Sequence, residues 1–339
     1  MLRMSRYIFS GNLTDTMVEM LLRVPWFEPM DVLVSQLDRG TVNKMLGYKE
    51  RGAVKSLFID SGAYSVYTGK KSHLDVDEYI QYVNGLDEHI YAVAQADTIP
   101  GKFGVAKTTE DYIESADKSW ENYLYMRKRM KSPEKLIPVF HFGESFDTLR
   151  RMLDYRDPEV SEHSKVHSDV LGEMYMDRVN IVGLSPANDS AQKDKDLYLG
   201  QCYDFISRSS YPDVKTHLFG MTSLPSLAKF PYYSADSVSH RLRAAYNKIF
   251  TRKWGVVSLT DKSRVSKTKS NMSFYKTCDT ATRKEFDEFL ASYKFTFEEV
   301  QNDNAARTCI DICETQQAVK NEFAYKPTNK LKAKRLFSI

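Results

Sequence analysis

Eight short, almost uninterrupted apolar runs constrain this 339-residue chain more than any other feature. They are DVLVSQ from Asp31, SLFIDSG from Ser56, IYAVAQAD from Ile90, LIPVFHFG from Leu136, VNIVGLSP from Val179, THLFGMTS from Thr216, YYSADSVS from Tyr232 and WGVVSL from Trp254. An apolar residue at every position, rather than every second one, means that both faces of a strand are buried. That is the pattern of a parallel sheet covered by helices. Helical periodicity lies between many of the runs, in DVDEYIQYVNGL after Leu74, from Tyr112 to Met130 and from Lys193 to Arg208. Eight strands with helical crossovers imply an α/β fold, a (β/α)₈ TIM barrel, with a doubly wound open sheet as the alternative. Beyond Trp254 the pattern changes to a lysine-rich segment, DKSRVSKTKSN, and two amphipathic stretches, 281–293 and 297–323. The division expected is a barrel over 1–262 and a basic loop with a C-terminal helical appendage over 263–339.

A hydrophobic content of 42% excludes a disordered chain. No apolar stretch approaches a membrane span, and MLRMSRYIFSGNL lacks the apolar core of a signal peptide. Four cysteines in a chain of this length make no disulfide framework, so a reducing cytoplasm (a host's, if the chain is virus-encoded) is the expected setting.

The net charge is only +3, but its distribution is uneven. From Arg241 to Lys276 there are ten Lys or Arg against one acid, and the terminal KPTNKLKAKRLFSI is basic throughout. Between them, from Thr277 to Tyr325, acids outnumber bases ten to five. Clustered cations are the footprint of a polyanion. Arg241, Arg243, Lys262, Arg264, Lys267 and Lys269 are the expected phosphate contacts, and solvated surface is the alternative.

In a barrel the chemistry sits at the carboxyl ends of the strands. Many of the runs end there in a carboxylate, imidazole or glycine: Asp60-Ser61-Gly62, Asp97, His141-Phe142-Gly143, Gly183, Gly220 and Asp236. One such aspartate could be a helix N-cap. Three together, each at the end of a buried strand, imply groups that are paired or used.

The segments FIDSGAYS, QAD, PVFHFGE, VGL, HLFGM and SADSV, in this order, resemble the motifs of the tRNA-guanine transglycosylase superfamily. The collinear match runs from Phe58 to Val238, and the short chain looks most like the phage-type DNA-guanine transglycosylases. The resemblance implies a glycosyltransferase that exchanges guanine in DNA for a free 7-deazaguanine base through a covalent aspartyl intermediate, with tRNA as the alternative substrate. It implies Asp236 as nucleophile, Asp60 as general acid/base, and a base pocket of Ser61, Tyr64, Asp97, His141, Gly183, Leu184, Phe219 and Gly220. In that pocket Tyr64 and Phe219 would hold the faces of the base, with ordinary core packing as the alternative for each. Asp97 would read the guanine edge, and Gly183 and Leu184 would offer backbone contacts. His141 replaces the family's glutamine and would bond the base, unless it is structural. The superfamily's zinc cluster is not reproduced: Cys278, Cys309 and Cys313 lack pair-plus-pair spacing, and no cofactor is expected. A monomer is plausible without the zinc region. Two other classes remain open. One is a metal-dependent barrel hydrolase using Asp60, Asp97, His141, His217 and Asp236, and the other a nucleic-acid-binding subunit without chemistry.

Overall fold

Neighbouring residues of a strand point to opposite faces, and here both faces meet apolar surroundings. In Val32-Leu33-Val34 and Leu57-Phe58-Ile59 the middle side chain joins an inner cluster, while its neighbours join the outer core beneath the helices. The structure, a computed structural model, describes residues 6–71, 73–187, 190–221, 223–261 and 273–322.

The strands are β1 Arg6–Ser10, β2 Met30–Ser35, β3 Val54–Asp60, β4 Ile90–Ala94, β5 Leu136–Ile137, β6 Val139–His141, β7 Lys165–Ser168, β8 Gly172–Tyr175, β9 Ile181–Ser185, β10 Lys215–Leu218, β11 Ser234–Ser237, β12 Lys248–Thr251 and β13 Gly255–Ser258. Nine of them form one parallel sheet in the order β5-β4-β3-β2-β1-β11-β10-β9-β6. β5 and β6 are halves of a single strand parted by Pro138, which has no N–H for a ladder. β5 pairs with β4 and β6 with β9, so the sheet comes round on itself as an eight-stranded barrel. The Pro138 carbonyl accepts from the Gly183 N–H at 2.8 Å and bridges the break.

Seven of the eight strands lie where the apolar runs place them; the eighth does not. WGVVSL becomes β13, which pairs antiparallel with β12 outside the barrel. Its place is taken by β1, which lies between β11 and β2. β13 cannot enter a parallel barrel because a tight turn folds it back on β12. Thr251 Oγ1 closes that turn, accepting from the Trp254 N–H at 3.1 Å and donating to the Gly255 carbonyl at 3.0 Å.

The helices Val76–Gly85, Thr109–Arg127 and Gln192–Ser207 fill the expected crossovers. Asp75 caps the first by accepting from the Glu78 N–H, and Thr108 and Asp111 form a reciprocal capping box on the second. The lower end of the barrel is covered by the β7–β8 hairpin. Leu171 and Met174 join the inner cluster, while Tyr233 and Lys215 bond the Val170 and Leu171 carbonyls at 2.7 and 2.8 Å.

The C-terminal stretch 297–323, expected as one helix, is two: Phe297–Asn302 and Asn304–Glu322, parted at the extended Asp303. The longer helix packs against β12 and the helices Asp15–Leu22 and Ser239–Ala245. Among the described residues, no helix is long and apolar enough to cross a membrane.

Candidate active site

At the carboxyl ends of the strands the inner row of side chains changes from apolar to polar. Ile8, Leu33, Phe58 and Ala94 give way to Ser10, Asp60, His141 and Asp236 around a cavity of about 570 Å³. Ser61, Tyr64, Asp97, Phe219 and Gly220 also line it, as do Ser185 and Lys195, which the sequence does not single out.

Asp236 is the penultimate residue of β11, and both its oxygens are engaged. Oδ2 accepts from Ser10 Oγ at 2.5 Å and Oδ1 from the Gly220 N–H at 2.9 Å. His217, fully buried below it, has Nε2 3.4 Å from Oδ1 and Nδ1 2.9 Å from Ser234 Oγ. Ser10 belongs to β1, 226 residues away, and no sequence signal joins the two.

Asp60 ends β3 and accepts from the Gly62 N–H at 3.0 Å. Gly62 sits at φ +84°, and a Cβ there would meet Leu37 at 2.4 Å, so glycine alone permits this turn. Burial, reinforced by the charges of Asp97 and Asp236 and only partly offset by backbone N–H groups, pushes the Asp60 carboxyl up to about 7. The fully buried Tyr79 donates to the carbonyls of Ile59 and Ala94 at 3.2 and 2.9 Å, tying together the ends of β3 and β4 that carry Asp60 and Asp97.

Asp97 is held by a loop pinned to the helix Thr109–Arg127. Asn122 donates to the Ala96 carbonyl at 2.7 Å, and Ser119 accepts from the Thr98 N–H at 2.8 Å. Its Oδ1 accepts from Ser61 Oγ at 2.8 Å, and its Oδ2 lies 3.0 Å from His141 Nε2. The other ring nitrogen of His141 lies 3.1 Å from Glu144 Oε1. With both nitrogens engaged here, the direct bond to a base that the sequence leads one to expect would require the ring to release Asp97 or Glu144. Burial alone would lower its pKa, but the bonds to Asp97 and Glu144, with their charges, raise it to about 10. Glu144, buried and three residues on, was not anticipated, although its spacing in HFGE is the available signal.

Tyr64, in the short helix Ala63–Tyr67 that follows β3, and Phe219, just after β10, stand on opposite walls of the barrel. Tyr64 is 47% exposed, which sets it apart from the core. Phe219 lies across Gly183, where a Cβ would meet its ring at 2.5 Å. That packing explains the glycine. Of the expected backbone contacts from Gly183 and Leu184, two groups are already engaged. The Gly183 N–H bonds Pro138 and the Leu184 carbonyl accepts from the Phe219 N–H at 3.0 Å, both within the barrel wall. The Leu184 side chain points outward into the core.

The basic segment also reads differently in three dimensions. Arg243, expected as a phosphate contact, has its guanidinium paired within the protein, making two bonds to the buried Asp311 at 2.6 and 2.7 Å. Arg252 pairs with Glu314 at 3.2 Å and Lys253 with Glu285 at 2.6 Å. Part of the local positive excess is therefore neutralised by the acidic segment that follows it. Arg241 remains exposed, its guanidinium lying over Gly11. Lys262, Arg264, Lys267 and Lys269 lie outside the described residues.

Cys309 and Cys313 are buried free thiols, and burial raises the Cys313 thiol to about 12. Cys278 is a half-buried free thiol. Among the described residues, no three His, Cys, Asp or Glu side chains converge as metal ligands would. A larger recess of about 770 Å³, between the helices Thr109–Arg127 and Phe146–Asp154, is lined by Arg151, which pairs with Asp117 at 2.9 Å. It contains none of the strand-end aspartates.

No family model matches the chain, and no curated protein does. Among solved structures, it is similar to a probable tagatose 6 phosphate kinase from Sinorhizobium meliloti 1021, with 9% identity over 96% of this chain and 95% of that one and a TM-score of 0.37.

Proposed function

We propose that this protein exchanges guanine in a polynucleotide, DNA in preference to tRNA, for a free 7-deazaguanine base through a covalent link to Asp236. The observation that carries the reading is the pair of strand-end carboxylates in one cavity with different surroundings. Asp236 is aimed by Ser10 and Gly220, while Asp60 titrates at about 7. A group with that pKa can give and take a proton near neutrality.

In the first half-reaction an Asp236 oxygen bonds to C1′ of the nucleotide as the bond from C1′ to N9 of guanine breaks. The electron pair leaves with the purine, and Asp60 gives it the proton that yields neutral guanine. In the second, Asp60 as carboxylate takes the N9 proton of the incoming base. That nitrogen bonds to C1′ and frees Asp236. The oxocarbenium-like transition state and double displacement parallel retaining glycoside cleavage. A purine must leave its stack to reach the cavity, and Tyr64 and Phe219 supply aromatic faces for it. A cavity of this size accommodates a nucleoside.

The test is a denaturing gel of the protein with labelled DNA or RNA and no acceptor base, followed by peptide mapping. A shifted band that maps to Asp236 and clears when a 7-deazaguanine is added supports the reading. Mass spectrometry of the recovered nucleosides separates DNA from RNA as substrate. If Asp236→Ala still exchanges bases at the parent rate, the assignment is wrong.

A further inference from the structure

Four side chains form one buried chain at the ends of β3, β4 and β6: Ser61 to Asp97 at 2.8 Å, Asp97 to His141 at 3.0 Å, and His141 to Glu144 at 3.1 Å. Glu144 also accepts from the His141 backbone N–H at 3.2 Å, so it holds the residue at both ends. The side chain of Glu144 is 1% exposed, that of His141 7% and that of Asp97 10%, and Asp97 lines the cavity together with Ser61 and His141. Glu144 does not line the cavity. A carboxylate so deeply buried is expensive unless it is paired, and His141 is its ionisable partner among the described contacts.

We propose that Glu144 is a positioning residue: through His141 it fixes the orientation in which Asp97 meets the base. This rests on the function proposed above and deepens its base-recognition step. An imidazole bonded on both sides by carboxylates donates from both nitrogens. Asp97 Oδ2 then always faces a donor, Oδ1 faces Ser61, and its remaining lone pairs are directed into the cavity towards the adjacent N–H donors of a 2-amino-6-oxopurine edge. Without Glu144 the ring loses one partner. Once neutral, it can turn a lone pair towards Asp97 and swing that carboxylate out of register. The other titratable groups around the ring are Asp60 and Asp236 across the cavity, and Lys195 and Tyr198 from the helix Gln192–Ser207. The Tyr198 hydroxyl donates to the Phe140 carbonyl at 2.8 Å and offers no alternative partner to the ring.

The experiment combines the pH dependence of guanine exchange with nitrogen-15 spectra of the protein labelled at its seven histidines, His141 being assigned with the His141→Gln variant. In the parent, the His141 ring should stay doubly protonated through about pH 8.5, and KM for guanine should be flat over that range. In Glu144→Gln, KM should match the parent at about pH 6 and rise about tenfold by about pH 9, as the ring loses its proton, with kcat within about threefold. His141→Gln has no proton to lose, so its KM should be raised and flat with pH. A neutral His141 in the parent at about pH 7.5 would overturn the proposal, whether or not Glu144→Gln folds. So would a KM for Glu144→Gln that is raised equally at all pH values, the result of a merely structural role. A doubly protonated ring in a protein that exchanges no base would leave the clamp standing and remove the transglycosylase reading instead.

Discussion

The two ends of the barrel handle the same residue type in opposite ways. At the lower end Asp31 meets the guanidinium of Arg6 and the hydroxyl of Ser56, Arg6 lies over the Tyr91 ring at 4.9 Å, and the β7–β8 hairpin covers the interior. At the upper end Asp60 and Asp236 face a cavity with no arginine among its lining residues; their hydrogen-bond donors are hydroxyl and backbone N–H groups, with the His217 ring 3.4 Å from Asp236. Neutralised charge at one end stabilises the barrel. At the other, burial, reinforced by the charges of Asp97 and Asp236 with no guanidinium to offset them, raises the Asp60 pKa, as the proposed chemistry requires. Barrels commonly divide stability and chemistry between their two faces in this way.

Four substitutions would break or sharpen that contrast. The largest effect is expected for Asp236→Ala, which should lower exchange by about 10³-fold or more while the melting temperature holds. A stopped assay of labelled guanine incorporation measures it, and residual exchange near the parent rate would mean that the upper aspartates are not the reacting pair. Next is Arg6→Ala. Leaving Asp31 buried without its cation should cost about 3 kcal/mol in chemical denaturation with kcat unchanged below the melting range. A loss of kcat with no loss of stability would reverse the roles assigned to the two ends.

Asp60→Asn should move stability the other way. Because its folded pKa is raised, the native state keeps a proton that the unfolded chain releases, and stability falls as pH rises from about 4 to about 7. The variant lacks that loss, so it should unfold at higher denaturant by about 4 kcal/mol at pH 8, match the parent near pH 4, and exchange bases poorly. Equal stability at both pH values would show that Asp60 titrates normally. The smallest effect belongs to the rim: Arg241→Ala should weaken polynucleotide binding about threefold, uniformly across sequences, and reduce the salt slope by about one. A salt titration by fluorescence anisotropy reads both.

The barrel was legible in the sequence because burying both strand faces writes an apolar residue at nearly every position. The misplaced strand shows the limit of that signal. RYIFS and WGVVSL are alike in composition, and only the turn that returns β13 onto β12 separates them. The β7–β8 hairpin went unread because a two-stranded cap of KVHS and GEMY carries too few apolar residues to register as a run. At the site, Asp60, Asp97, His141 and Asp236 could be named because each ends or follows an apolar run. Their partners could not. Ser10 reaches Asp236 only through the pairing of β1 with β11, and the ion pair of Arg243 with Asp311 spans 68 residues, so a local charge count cannot see that one of its cations is tied internally.

The hairpin beneath the barrel also bears on traffic. With Leu171 and Met174 filling the lower interior, the described residues leave the cavity open towards the carboxyl ends of the strands, where the polynucleotide would itself lie. Under the proposed exchange, an outgoing purine and an incoming one would use the same doorway in turn, past a strand still tethered to the protein. Expelled guanine would compete directly with its replacement. The net direction of exchange would follow the relative concentrations and affinities of the two free bases, together with the stability of the modified strand, rather than any one-way passage through the fold.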